Sequence, residues 1–387
     1  MRKMQKRQAP RVLITGGAGF IGVNAARRFL QDGWDVFVWD NLSRDGAENN
    51  LQWLRGFGRI HFSKVDIRDE KAVTGYFKQE RYDLVLHCAA QVAVSASLIN
   101  PRYDLENNVL GTFNLLEAAR AFCPEALFIY ASTNKVYGSL ESAPVVERDG
   151  RYEWADFPGG IPETQPLDFY SPYACSKGAA DQYVRDYSRI YGLATVCFRQ
   201  SCIYGYRQFG MEDQGWVAWF LIAQALRRPI TIFGDGKQTR DLLFIDDLID
   251  AYCLAWQKRD KVAGRVYNIG GGPQNQYSVM QLVHWLEAQG GATAEIAFAT
   301  PRQGDQKVFV ADIRKAFKDF GWRPSCSVEQ GLRKLHRWIN ANLEMFREVF
   351  DALPPVPADA PTPESMPIEA VWAIEGSLAA GHKRSIG

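Results

Sequence analysis

The sequence predicts an α/β protein: a doubly wound parallel sheet carrying a smaller α/β lobe. Three observations predict it. Short apolar runs alternate with longer amphipathic stretches through the first half of the chain, a glycine-rich turn joins the first run to the first stretch, and the rhythm breaks near residue 200. The expected strands, in order, are "RVLIT" (11–15), "DVFVW" (35–39), "IHFSKV" (60–65), "DLVLHCA" (83–89), "ALFIYA" (126–131) and "ATVCFR" (194–199). Helical stretches separate most of them, notably "FIGVNAARRFLQDG" (20–33) and "NVLGTFNLLEAARAF" (108–122). Continuously apolar strands alternating with helices imply a parallel sheet covered on both faces. Residues 1–200 are therefore expected to form this half, with a return of the chain to the sheet near 242–268. Residues 201–350, in shorter Gly-, Pro- and Trp-containing pieces, form the lobe. The prolines and small residues of "DALPPVPADAPTPESMP" give 351–387 the character of an extended tail, and "IEAVWAIEGSLAA" within it reads equally as a short docking helix or as disorder.

The bulk numbers exclude several classes of function. Lys plus Arg (45) balance Asp plus Glu (44) in 387 residues, so no global field draws the chain to nucleic acid or to an acidic membrane. Basic residues gather in "MRKMQKRQAPR", but no apolar segment follows, and the segment is expected to be a solvated tail rather than a signal peptide. No run of about 18 apolar residues is present, so no span of a bilayer is expected. The seven cysteines form no CxxC pair and read as reduced thiols of a cytoplasmic protein. The five histidines lack ligand spacing, and no metal is expected.

"RVLITGGAGFIG" places Gly16, Gly19 and Gly22 between the first strand and the first helix. Glycines there permit the tight turn, let the backbone approach a pyrophosphate, and bring helix against sheet. The helix N-terminus adds free N–H groups and a positive dipole end. Asp40 closes the next strand about 20 residues on, where an acid accepts a hydrogen bond from a ribose 2′-OH and repels a 2′-phosphate. This is a Rossmann-type site for NAD, with Arg44 nearby blurring the choice against NADP slightly. Tyr173 and Lys177 in "YACSK" lie four apart, on one face of a helix over 173–191. Tyrosine is a poor base at its usual pKa of about 10, and a neighbouring ammonium with a cationic nicotinamide favours its phenolate.

Taken in order, "TGGAGFIG", "DNLSR", "DIRD" (66–69), "HCAAQ" (87–91), "NVLGT" (108–112), "STNKVYG" (132–138), "YACSK" and "GDGKQTRDLLFIDD" (234–247) are similar to motifs of the extended short-chain dehydrogenases/reductases, in their nucleotide-sugar epimerase and dehydratase branch, over residues 11–345. The resemblance implies that Asp66 and Ile67 flank the adenine, that Ala89 lines the cofactor site, and that Thr133, Tyr173 and Lys177 are catalytic. It also implies cofactor contacts from Phe20, Ile21, Asn41, Ala90 and Asn108 in the same motifs, and a homo-oligomer, dimer or tetramer. Dehydratases of this branch carry an acid pair directly after the threonine, and this chain has Asn134 and Lys135 there. Elimination of water needs an acid and a base, so dehydration is not expected. Asn134 is expected to touch substrate or to hold the turn, and Lys135 to be solvated.

"FRQSCIYGYRQFGMEDQGWVAWF" (198–220) is similar to the corresponding stretch of the CDP-paratose 2-epimerases. That implies a CDP-linked sugar oxidised at C2 and reduced again from the other face, with Ser201 and Gln214 at the substrate. Arg240 and Arg302 match positions that clamp the diphosphate, where a fork of N–H donors fits phosphate oxygens. A 4-epimerase or a reductase of another nucleotide sugar shares the core motifs. A non-catalytic NAD-binding protein would not need the Thr133, Tyr173 and Lys177 set.

Overall fold

The computed structural model describes residues 9–290, 294–302 and 305–351. Seven strands form the central sheet: β1 Arg11–Thr15, β2 Asp35–Asp40, β3 His61–Lys64, β4 Leu84–His87, β5 Leu127–Thr133, β6 Thr195–Gln200 and β7 Arg265–Ile269. Their order is 3-2-1-4-5-6-7, and every pairing is parallel. The return of the chain is made by β7 alone. Residues 239–244 instead join a small separate sheet with Cys202–Tyr204, Gln276–Ser278 and Val308–Phe309.

The apolar runs lack a polar face because both sides of the sheet are covered. Val12, Ile14, Val36, Val38, Leu84 and Leu86 point into one core. Their alternates Leu13, Phe37, Trp39 and Val85 point into the other, together with Phe128 and Tyr130 of β5. Successive residues of a strand face opposite ways, so each core takes every second side chain.

The chain leaves β1 in one direction for β2 and β3, and in the other for β4 to β7. Ligands of such sheets bind outside the carboxyl ends of the strands at this switch point. Gly16 follows β1 and Ala89 follows shortly after β4, so both loops meet there. The expected helix over 108–122 is broken in two: a π-helical turn, Leu105–Leu110, leads into Gly111–Phe122. No described helix is long and apolar enough to cross a membrane. Among the described residues no three His, Cys, Asp or Glu side chains are placed to hold a metal, and all seven cysteines are free. The tail beyond Asp351, and most of the basic N-terminal segment, lie outside the described residues.

Candidate active site

The glycine turn is shaped for close approach. Gly16 has φ +66°, and a β-carbon on it would lie 2.7 Å from the Ala89 nitrogen. A β-carbon on Gly22 would run into the Gly16 carbonyl oxygen and lie 2.6 Å from the Gly17 α-carbon. Gly19 then caps the helix Phe20–Gln31 with no side chain over its first amides. Glycine turn, bare helix terminus and meeting loops together fit a dinucleotide pyrophosphate.

Asp40 closes β2, and its carboxylate accepts from the Ala18 N–H at 3.0 Å and the Leu42 N–H at 2.8 Å. It therefore also holds the glycine turn. Burial raises its pKa, against the pull of those amides. Asn41 donates to Asp66 at 3.2 Å, and the Arg68 guanidinium grips Asp66 at 3.0 and 2.8 Å. Burial pushes the Asp66 carboxyl up, but Arg68 outweighs it and the net shift is downward. Ile67 packs over Gly111, where a β-carbon would come within 2.5 Å of it. Asn108 is different: its amide is spent on Gln91, Asp104 and Ser176, so it positions the loop after β4 instead of reaching into the cradle.

Thr133 ends β5. Its hydroxyl accepts from the Lys135 N–H at 3.2 Å and donates to Asn134 Oδ1 at 3.4 Å. The helix Pro172–Tyr191 starts opposite it, with Ser171 Oγ capping the Ala174 N–H at 3.0 Å and Pro172 at the first turn. That start puts the Tyr173 phenol in hydrogen-bonding reach of Thr133. Burial pushes the phenol up to about 12, Thr133 draws it down, and Asp104 pushes it up again. Lys177, one turn on, is buried too. Its ammonium donates to the Ala131 carbonyl at 2.6 Å rather than to the phenol, and lies 4.3 Å from the Tyr130 ring centre. Burial brings its pKa down to about 8. Tyr173 and Lys177 are thus both buried, one turn apart on the same helix.

On the lobe side Asn134 donates to Gln306 Oε1 at 3.2 Å, and Gln306 donates in turn to the Gly138 carbonyl at 2.5 Å. Lys135 departs from the solvated side chain expected of it. It pairs with Asp305 at 3.4 Å, and Arg240 pairs with the same oxygen at 2.5 Å. Burial raises the Asp305 carboxyl, but Arg240 and Lys135 overcome this and hold it below its ordinary value. Arg302 donates to the Glu212 carbonyl at 3.0 Å with its guanidinium 3.8 Å from the Phe233 ring centre, and burial lowers its pKa. Lys135 and Arg240 meet at Asp305, while Arg302 faces Glu212, Asp213 and Asp305, and guanidinium forks of this kind fit phosphate oxygens. Ser201 gives its hydroxyl hydrogen to Asp241, and Gln214 accepts from Arg44 at 3.4 Å.

Sequence reasoning passed over Asp104, Ser176, Asp181, Arg199, Asp305 and Gln306. The i,i+4 pair of Asp104 and Asn108 in an otherwise amphipathic stretch was the one readable signal.

Residues 12–270 match the NAD dependent epimerase/dehydratase family. The chain belongs to that family. It is 45% identical to the CDP-paratose 2-epimerase of Salmonella typhi over 336 residues, covering 86% of this chain and 99% of that protein. It is 33% identical to the dTDP-glucose 4,6-dehydratase of Neisseria gonorrhoeae over 361 residues, 88% of this chain and 98% of the other. Among solved structures, the UDP-glucuronic acid 4-epimerase of Bacillus cereus, in complex with UDP-glucuronic acid and NAD, matches with a TM-score of 0.74 and 28% identity, over 86% of this chain and 99% of that one. As a member of the family the enzyme uses NAD, and the cradle described above fits it.

Proposed function

We propose that this family member epimerises a CDP-linked hexose at C2, with CDP-paratose and CDP-tyvelose or a related pair as substrate and product. The observation that carries the reading is the 45% identity to a CDP-paratose 2-epimerase along nearly that protein's whole length. Asn134 and Lys135, where dehydratases hold two acids, support it from the site itself. In this reading residues 201–350 form the nucleotide-sugar lobe.

Bound NAD supplies the acceptor for a hydride from the sugar and, once reduced, the donor that returns it. The protein does the rest. Tyr173 takes the proton of the C2 hydroxyl, and Thr133 hydrogen-bonds the same oxygen as it becomes a ketone. Lys177 keeps positive charge beside the phenolate, and Arg240 and Arg302 hold the diphosphate while the sugar presents its other face. Tyr173 then returns the proton, so neither oxidant nor proton is consumed over the cycle.

Such an enzyme needs no added nicotinamide. The purified protein is expected to release NAD on denaturation and, against a panel of CDP-, UDP- and GDP-sugars, to invert a CDP-hexose with no supplement. Empty preparations whose turnover consumes NADPH stoichiometrically would make it a reductase. Inversion at C4 of a UDP-sugar would move it to the second reading, which the likeness to the UDP-glucuronic acid 4-epimerase supports.

A further inference from the structure

Asp104 is a carboxylate with 1% of its surface exposed, and it forms no ion pair among the described residues. It ends the short helix Pro101–Asp104, and the π-helical turn Leu105–Leu110 follows directly. Such turns are uncommon and recur at functional sites. Here Asp104, Asn107 and Asn108 are all buried. Gln91 donates to Asp104 at 2.7 Å, Asn108 at 3.2 Å and Ser176 at 3.2 Å. Gln91 gives the shortest of these bonds, Asn108 also faces the Gln91 carbonyl and Ser176 the Tyr173 carbonyl, and burial raises the Asp104 carboxyl against the pull of these donors.

The partners come from three elements. Gln91 belongs to the loop after β4, beside Ala89 and Ala90. Ser176 belongs to the catalytic helix, between Tyr173 and Lys177 in sequence, and Asn108 ties the two by accepting from the Gln91 N–H at 2.9 Å and donating to Ser176 Oγ at 2.9 Å. A buried anion without a counter-ion is costly. We propose that Asp104 is a positioning residue for the reaction: it pins the start of the catalytic helix to the cofactor-side loop and places a carboxylate beside the segment that carries Tyr173 and Lys177.

The other titratable groups facing this pair are already accounted for. Asp181, one turn beyond Lys177, pairs with Arg199 at 2.9 Å and still favours the Lys177 ammonium. His87 is held neutral by burial and by Lys177, and the Cys88 and Cys197 thiols are pushed up by burial. Arg102 and Glu106, on the outer side of the same segment, pair with each other at 3.0 Å. Asp181 and, more weakly, Asp104 both favour the Lys177 ammonium, and Asp104 is the carboxylate that also raises the Tyr173 phenol.

The sign follows. Without that charge the Tyr173 phenolate forms more easily and the Lys177 ammonium loses its proton more easily, so both limbs of the kcat–pH profile move to lower pH. Asp104→Asn is expected to move them by about half a unit or more, and to lower kcat by about ten- to a hundredfold through the loosened helix. Asp104→Ser is the second uncharged variant, should the amide disturb folding. Asp104→Glu restores the charge and should return both limbs to their original positions. Ser176→Ala cuts the helix anchor with the charge in place, and should lower kcat with the limbs unmoved. Limbs unmoved in a folded, NAD-loaded uncharged variant, or limbs that Asp104→Glu does not restore, would overturn the proposal. It rests on Tyr173 being the base. Full activity in Tyr173→Phe would remove that footing, whereas an unmoved profile in an active Asp104→Asn removes this proposal alone.

Discussion

Tyr173→Phe is expected to lower turnover by about 10²–10⁴-fold, the usual contribution of a positioned general base, with little change in substrate affinity. The substitution removes one oxygen, whose protein partner is Thr133. The ring stays in the first turn of a helix capped by Ser171 and held by Ser176 and Asp104. The groups proposed to hold the substrate, Arg240 and Arg302 among them, are untouched, so the loss should fall on kcat and leave KM near its original value. In the protein alone the buried phenol stands at about 12, far too high for a base at neutral pH. A cationic environment is needed to bring it into range. Steady-state kinetics of NAD-loaded protein decide the point: activity within about tenfold of wild type would place the base elsewhere.

Arg199→Met is expected to cost about 3–5 kcal/mol of stability, because it leaves Asp181 charged and without its cation in the core. Arg199 on β6 holds Asp181 of the catalytic helix through two bonds, at 3.0 and 2.9 Å, and donates to Tyr137 Oη at 3.1 Å. Ser132, next to Thr133, donates to the same carboxylate at 2.8 Å. Side-chain exposure is 2% for the arginine and 0% for the aspartate. Removing both charges is cheaper than removing one, so Asp181→Leu combined with Arg199→Met should be more stable than either single variant. Denaturant midpoints test this. A double variant that loses the sum of the two singles would mean that the pair is not coupled.

That ion pair also explains where the sequence was hard to read. The apolar run 126–131 ends at Ala131, yet β5 continues through Ser132 and Thr133, which pair in register with Arg199 and Gln200. Polar residues could extend a buried strand because each finds a buried partner, and such partners lie far apart in sequence. The glycine turn was legible because its requirements are local: a positive φ at Gly16 and a close contact at Gly22. Tyr173 and Lys177 were legible from helical spacing, but Lys177 turns to the Ala131 carbonyl, a tertiary choice that spacing does not encode. Lys135 was misread for the same reason, since Asp305 and Arg240 arrive from segments more than a hundred residues away. The π-helical turn escaped because a 3.6-residue period carries no mark of one extra residue.

The measurement that bears most directly on transient oxidation at C2 uses substrate deuterated at that carbon. If Tyr173 takes the hydroxyl proton while the C2 hydride goes to the cofactor and comes back, the hydrogen never meets solvent. The epimer formed in ordinary water should keep its deuterium, and unlabelled substrate turned over in heavy water should gain none at C2. One proton NMR spectrum of the product reads both. Deuterium lost to solvent from C2 would contradict the account, and would require a carbanion and a carboxylate base at a strand end that carries Thr133, Asn134 and Lys135 instead.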